Sequence, residues 1–367
     1  SSKESPHPLI AVGKHFARTI EAVTLPQVVL IEGAQLTALL KDDPDTELDT
    51  PEKRLLNAFQ RLITYHPSIE EKLVKANGIS KDELDAVQLE IRAKGGSSAR
   101  SDDMRGIKIN IVEWIRMKPD EELTPALLPK QKTGRGFNHP RTGFLLCPAN
   151  MNWEDPKVQD GLKSGEIDPY EDTPMFMYEG YKYYPLEPWK GFFKSSILVK
   201  AYKHVFTTPS SAEEGFSKNR ATRPGNARLR GMTAVTPASL AYIAMMVRFA
   251  LTDQQTFNRN DMVTYTERFY TDVLDHLEDP DETEELESLL LWWNTRVFPA
   301  HVKIAGASSG KNTVLAAIKK ARAALRALTN TNSEANGHVS EDGVVNEGAE
   351  QPAGGSGQST AVPQVTT

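Results

Sequence analysis

The sequence has a single cysteine, Cys147, among its 367 residues. One cysteine excludes an intramolecular disulfide, and it excludes the zinc sites that need several cysteines together. The chain also lacks an apolar run of about 18 residues, so no membrane-spanning helix is predicted. The first residues lack the basic and apolar pattern of a secretory signal peptide. Together these absences predict an intracellular protein of the cytoplasm or nucleus.

Most of the chain has little net charge, because positive and negative residues nearly balance. The net charge is −6 at neutral pH, of which residues 329–367 contribute −5, leaving −1 for the rest of the protein. A near-neutral body neither excludes nor indicates a nucleic-acid partner, because dedicated duplex-binding domains are usually basic throughout. An argument for an anionic partner therefore depends on local groups of cations.

Alternation of apolar and polar residues at period two, the pattern of strands, is not convincing anywhere. Helical spacing and helix caps are frequent instead. Thr50-Pro51 and Thr236-Pro237 each offer an N-cap followed by a proline in the first turn, Gly95-Gly96 is predicted to end a helix, and Asp102 or Asp103 to begin the next. We therefore predict a mainly α, irregular multi-helix globular domain with long loops rich in proline, glycine and aromatic residues.

Composition divides the chain into four stretches. Residues 1–8 are predicted to be disordered, and residues 9–118 to form an N-terminal helical region. Residues 119–328 are predicted to combine an irregular segment with a C-terminal helical core, in one domain with 9–118. The polar composition of 329–367 predicts a disordered acidic tail, because it cannot bury enough apolar surface to order itself.

Motifs for catalysis are incomplete. A G-x-S-x-G pattern at 306–310 is typical of α/β-hydrolases, but the only histidine after it is His338, in the tail. No pair of histidines has the spacing of a metal site. Nothing near Cys147 favours a lowered thiol pKa, so a buried structural thiol is favoured. The catalytic residues stay unknown, no cofactor and no metal are predicted, and a protein without enzymatic activity is favoured.

An acidic run lies between Asp272 and Glu287, with nine carboxylates. Acids that follow Pro280 stabilise a helix N-terminus through its dipole and remain solvated, which is the favoured interpretation. A site for a hard cation and a docking surface for a basic partner are the alternatives.

Three groups of cations are the clearest functional signal. The first, in a segment without acids that contains Pro224 and Gly225, is Lys218, Arg220, Arg223, Arg228 and Arg230. The second, in the irregular segment, is Lys130, Lys132, Arg135, His139 and Arg141. The third, in the last predicted helix, is Lys311, Lys319, Lys320, Arg322 and Arg326. Because guanidinium groups bind phosphate and carboxylate bidentately, the first group, with Arg135 and Arg141, forms the predicted anion- or nucleic-acid-binding set.

Five distinctive strings carry a resemblance to a known family. They are GFNHPRTGFLLCPANMNWEDP (136–156), YEGYKYYPLEPWKGFF (178–193), KAYKHVFTTPSSA (200–212), RPGNARLRGMTAVTPASLAYIA (223–244) and LLLWWNTRVFP (289–299). The chain over roughly 85–300 resembles an uncharacterised, multi-copy protein family of mushroom-forming basidiomycete fungi, a domain of unknown function. The resemblance implies a fungal intracellular setting. It supplies no fold, catalytic residue or ligand.

The favoured hypothesis is a non-enzymatic helical binding protein that contacts nucleic acid or an acidic protein through the Arg-rich loop 218–230. One alternative is an enzyme of unfamiliar type with a pocket formed by 130–193, which would gather His139, His204 or the acids of 272–287. Another is a protein-interaction scaffold. The hypothesis requires distant cations to share an exposed surface; the alternative for the cations is that they are separate, or neutralised by carboxylates. The oligomeric state is left open.

Overall fold

The computed structural model describes residues 8–65, 67, 89–169, 172–208, 224–255 and 263–302. Over these ranges helices dominate, and the β pairing consists of two isolated bridges. The mainly α fold predicted from the sequence is confirmed. The α-helices are α1 Pro8–Thr19, α2 Pro26–Asp42, α3 Thr50–Tyr65, α4 Ser97–Trp114, α5 Pro140–Leu146, α6 Pro156–Ser164, α7 Ser196–Tyr202, α8 Asn226–Leu229, α9 Pro237–Leu251, α10 Val263–Leu277 and α11 Thr283–Val297.

Several sequence predictions fall outside the described part of the chain. They concern the disordered ends 1–8 (except Pro8, which begins α1) and 329–367, the G-x-S-x-G pattern, and the last basic helix. The domain boundaries therefore stay a prediction. Within the described ranges, no helix is long and apolar enough to cross a lipid bilayer.

Helix α9 is the centre of the main core because it is apolar on all sides. All residues from Ala238 to Leu251 are buried. Its start is the predicted one: Thr236 and Ser239 exchange side-chain-to-backbone hydrogen bonds in a capping box, and Pro237 occupies the first turn. A helix that is hydrophobic all round needs neighbours on every face. Helices α1, α4, α7 and α10 pack around it.

The junction before α4 differs from the sequence prediction. Gly95-Gly96 does not end a helix: a π-helix, Leu89–Gly96, continues directly into α4. The glycines serve a close helix crossing instead. A Cβ on Gly95 would lie 2.8 Å from the Cα of Gly13, and a Cβ on Gly13 would lie 2.1 Å from the carbonyl oxygen of Ile91. Helix α1 therefore packs backbone to backbone against the π-helix.

The prediction that Asp102 or Asp103 begins a helix is also wrong, because both lie inside α4. The buried Asp103 carboxylate accepts two hydrogen bonds of 2.7 Å from the Arg18 guanidinium, and a third of 2.7 Å from the Tyr242 hydroxyl. These bonds join α1, α4 and α9. Asp102 forms an exposed ion pair with Lys14, 3.1 Å long.

Helices α1, α2 and α3 share a second apolar cluster. Gly33 on α2 lets the helix approach Phe59 on α3, since a Cβ at Gly33 would lie 2.3 Å from the Cβ of Phe59. Helix α3 begins at Thr50, so its cap is one residue earlier than the predicted one. Asp49 and Glu52, rather than Thr50, exchange hydrogen bonds of 2.8 and 2.9 Å at the helix start.

The segment from 119 to 155 is irregular, as predicted, apart from the short helix α5. Cys147 follows that helix and is buried, and burial raises the pKa of its thiol to about 11. It therefore fits the predicted structural thiol. The next helix, α6, begins after Asp155, whose carboxylate accepts a 2.9 Å hydrogen bond from the Lys157 amide, and ends at Gly165 with a φ of 79°.

Candidate anion-binding sites

The first predicted group of cations is described only at its C-terminal end. Lys218, Arg220 and Arg223 lie outside the described residues. Arg228, on the short helix α8, and Arg230, directly after it, are both exposed. Neither forms an ion pair with a carboxylate in the described part of the chain. Within these ranges both guanidinium groups are exposed without a neutralising carboxylate.

Two neighbouring residues fix the position of α8. A Cβ on Gly225 would lie 1.3 Å from the carbonyl oxygen of Thr207, so only glycine fits at this contact. The Asn226 side-chain amide donates a 2.6 Å hydrogen bond to the carbonyl oxygen of Val205. These contacts attach α8 to the π-helix Lys203–Thr207. Helix α8 in turn carries the exposed Arg228.

A third exposed arginine, Arg61 on α3, acts on the same imidazole as Arg230. Burial, and then the charges of Arg230, Arg18 and Arg61 in that order, lower the pKa of His15 to about 4. The His15 ring donates or accepts a 3.0 Å hydrogen bond with the Tyr65 hydroxyl. Because Arg230 and Arg61 both act on His15, residues distant in sequence bring positive charge to one region. We call Arg61, Arg228 and Arg230 the arginine surface.

The other two members of the predicted set point inward. Arg135 is 1% exposed, and its guanidinium donates hydrogen bonds to the carbonyl oxygens of Ala250 (2.8 Å), Lys108 (3.0 Å), Leu128 and Pro129 (both 3.3 Å). Burial lowers its pKa to about 10. Arg135 therefore holds the irregular segment against α4 and α9.

Arg141 has a similar structural environment. Its Nε donates a 2.6 Å hydrogen bond to the carbonyl oxygen of Ile115, and its guanidinium lies 5.0 Å from the centre of the Tyr181 ring. Burial lowers its pKa. The neighbouring His139 caps α5: its Nδ1 accepts a 3.0 Å hydrogen bond from the Arg141 amide, and its Nε2 donates to the carbonyl oxygen of Pro125 at 2.7 Å.

A cavity of about 560 Å³ lies between α1, the π-helix Leu89–Gly96, α4 and α9. Its apolar wall is formed by Phe16, Ala22, Ile91, Met104, Met245 and Phe249. Of the segment 130–193, only Lys132 lines it. His139, His204 and the acidic run at 272–287 do not line it, so this cavity is not the pocket expected for the enzyme alternative.

Six charged side chains line this cavity: Glu21, Arg100, Arg105, Lys108, Lys132 and Glu267. Glu21 directs Oε1 to the amides of Val23 and Thr24, at 2.8 and 3.0 Å, and burial raises its pKa. Arg100 donates to the carbonyl oxygen of Ala22 at 3.1 Å; burial lowers its pKa, and the charge of Glu267 opposes that shift. Two acids thus face four cations.

Lys132 is the buried cation of the cavity. It is 2% exposed, and its ammonium lies 3.4 Å from the centre of the Phe249 ring and 3.4 Å from the Thr252 hydroxyl. It also donates to the carbonyl oxygen of Gln254. Burial, and then the charge of Arg135, lower its pKa to about 7, while the charge of Asp253 acts in the opposite direction. Lys132 therefore changes charge near neutral pH.

Comparison with known proteins gives one match, over residues 94–298, to the Family of unknown function (DUF6698). These residues are more than half of the chain. The chain belongs to this family. No curated protein and no solved structure matches it. The family region includes almost all of the five strings on which the resemblance depends, so a domain of unknown function is confirmed.

The family region contains most of the residues of both candidate sites, but not all of them. Arg105, Lys108, Lys132 and the α9 wall of the cavity lie inside it, and so do Arg228 and Arg230. The α1 wall and Arg61 lie N-terminal to it. The cationic part of the cavity thus belongs to the portion of the chain that defines the family.

The cavity was not predicted from the sequence, although α4 carries a signal for it. Ser101, Met104, Arg105 and Lys108 have the spacing of one helix face. Placing a helix start at Asp103 divided that face between two elements. With an uninterrupted helix over 97–114, the pattern would have shown two unpaired cations on a face with small and apolar residues.

Two carboxylates of the acidic run have a structural role. Arg54 on α3 donates to Asp275 at 2.6 Å and to Glu278 at 2.7 Å, which joins α3 to α10. In the described ranges, no cluster of three or more histidine, cysteine or acidic side chains has metal-binding geometry.

Proposed function

We propose that this family member is a helical binding protein that contacts a phosphate-bearing partner, nucleic acid, through the Arg-rich segment 218–230 together with Arg61. The observation that carries the proposal is the arginine surface. Arg228 and Arg230 are exposed without a carboxylate partner in the described ranges, and Arg230 and Arg61 act on the same histidine. Positive charge from α3 and from the α8 region therefore converges.

The physical basis is the release of counterions from phosphates. Each cation that neutralises a phosphate of duplex DNA adds about 0.9 to the slope of log affinity against log salt. A protein body with a net charge of −1 has little nonspecific attraction for a polyanion. Most of the salt dependence should thus arise from the arginine surface and from Lys218, Arg220 and Arg223.

The test is fluorescence anisotropy of the full chain with labelled duplex DNA, single-stranded DNA and RNA at 50 and 200 mM salt. Five phosphate contacts predict a fall in duplex affinity of about 500-fold across this range, and three contacts about 40-fold. The variant Arg228→Gln/Arg230→Gln should lower the slope by about 2. Lys157→Gln/Lys163→Gln, which removes two exposed cations from α6, is the matched control.

Salt-independent binding, or the same slope in the Arg228→Gln/Arg230→Gln variant and the wild type, would contradict the nucleic-acid function. Binding of an acidic polypeptide, with no binding of any nucleic acid, would assign the partner to acidic proteins instead.

The resemblance supports a fungal, intracellular setting for this function, in the cytoplasm or nucleus. The scaffold alternative, with the acidic run as docking surface, is less favoured because Arg54 already binds two of its carboxylates. The enzyme alternative is less favoured because His139 caps α5 and lies away from the cavity.

A further inference from the structure

We propose that the cavity between α1, the π-helix, α4 and α9 binds a small organic anion with an apolar body, whose acidic group is held by Arg105, Lys108 and Lys132. This site is separate from the arginine surface. On α1, Gly13, Phe16 and Ala17 line the cavity, whereas His15 contacts Tyr65 and is influenced by Arg61 and Arg230.

The size of the cavity fits one small molecule. Its volume of about 560 Å³ lies within the range of ligand pockets, roughly 300 to 1,000 Å³. Such pockets have mainly apolar walls and a few polar groups that orient the ligand. Phe16 on α1, Ile91 on the π-helix, and Met245 and Phe249 on α9 supply apolar surface to the lining. A nucleic-acid chain would instead need an extended open surface.

The charges of the lining select an anion. Glu21 already accepts two backbone hydrogen bonds, and the charge of Glu267 acts on Arg100. Arg105, which is exposed, and Lys108, which is half-buried, form no ion pair in the described part of the chain. They lie three residues apart on α4, so both can reach one acidic group.

Lys132 adds a positive group with little hydration. A charge that is 2% exposed interacts more strongly with a ligand than an exposed one, because the local dielectric constant is lower. Lys108 and Arg135 face it as cations, and Asp253 faces it as an anion. A bound acidic group would favour the protonated amine, so binding near neutral pH should take up protons.

The probe pair for the test is 1-anilinonaphthalene-8-sulfonate and its neutral counterpart N-phenyl-1-naphthylamine. Both dyes fluoresce in apolar sites, and only the first is an anion. We expect one site for the sulfonate on the full chain, with affinity at least tenfold above that for the neutral dye. Arg105→Gln/Lys108→Gln should weaken sulfonate binding about tenfold and leave binding of the neutral dye unchanged. Lys157→Gln/Lys163→Gln is again the control.

Calorimetry of sulfonate binding in buffers of different ionisation enthalpy measures the number of protons taken up on binding. A purely structural role of Lys132 would not change this number. At pH 7, binding should take up a fraction of a proton per site, because a pKa of about 7 leaves part of the Lys132 amines neutral. Lys132→Met should abolish this uptake. Circular dichroism at 25 °C checks that each variant is folded.

Equal binding of both dyes, or a cavity variant that binds the sulfonate as tightly as the wild type, would overturn the proposal. The same holds if neither dye binds, or if Lys132→Met retains the proton uptake. The nucleic-acid titrations are independent, since they depend on Arg228 and Arg230.

Discussion

Replacing Lys132 with methionine tests the electrostatic account of the cavity through protein stability. Burial lowers the pKa of Lys132 from 10.5 to about 7 in the folded protein. Below pH 7 this difference corresponds to about 5 kcal/mol of lost stability relative to a lysine of ordinary pKa. Between the two pKa values the unfolded chain binds more protons than the folded one, so the free energy of unfolding rises with pH.

The magnitude follows from integrating that difference in bound protons. From pH 7 to pH 9, the Lys132 contribution should raise the free energy of unfolding by about 2 kcal/mol in the wild type and by nothing in Lys132→Met. Methionine keeps a long unbranched side chain beside Phe249 and removes the charge. Urea unfolding curves at both pH values give the change in the free energy of unfolding for the wild type and for the variant. Subtracting the two changes removes the contribution of all titrating groups that both proteins share.

The exposed Lys130 provides the matched control, since it lies in the same segment. Lys130→Met should keep the pH dependence of the wild type. Parallel pH profiles for the wild type and Lys132→Met would refute the reasoning, because they would mean that the amine keeps an ordinary proton affinity in the folded state.

Two further substitutions test the helix contacts that form the cavity. Asp103→Ala should lower the free energy of unfolding by about 3 to 5 kcal/mol, because it leaves the buried Arg18 without its carboxylate, whereas the neighbouring Asp102→Ala should cost less than about 1 kcal/mol. Urea denaturation measures both, and equal losses would contradict the account. Gly13→Ala should cost about 3 kcal/mol or more, because its Cβ would approach the Ile91 carbonyl to 2.1 Å, and an unchanged thermal midpoint would contradict this close contact.

Much of the fold was predictable because local signals and tertiary packing agree there. Thr236-Pro237 followed by a long apolar run predicted α9, and the structure has that cap and that helix. Asp155 and Gly165 bound α6 in the same local way, as an N-cap whose side chain accepts a hydrogen bond and as a C-cap with a positive φ. In these elements the cap hydrogen bonds join residues two or three positions apart in the sequence, so the local pattern decides where each helix begins.

The direction of the cations was not predictable from their spacing. Arg135 is in a loop rich in proline and glycine, which favours exposure, yet its guanidinium bonds four backbone carbonyl groups inside the protein. An irregular segment leaves backbone acceptors without helix or sheet partners, and a buried arginine with five donors can satisfy several of them. The spacing of residues in the sequence does not show which carbonyl groups lack a hydrogen-bond donor.

Residues that were wrongly predicted to begin or end a helix hold the elements around the cavity in place. Asp103 resembles a helix cap in sequence because aspartate is favoured at helix starts, but here the buried Arg18 needs its carboxylate in the middle of α4. Gly95 resembles a helix end in the sequence, but here it lies against Gly13 and lets two helix backbones touch. A residue that costs helix stability and is nevertheless present indicates a tertiary contact. In this protein the contacts of Asp103, Gly13 and Gly95 hold α1 against α4 or the π-helix, and these three elements line the cavity for which we propose an anionic ligand.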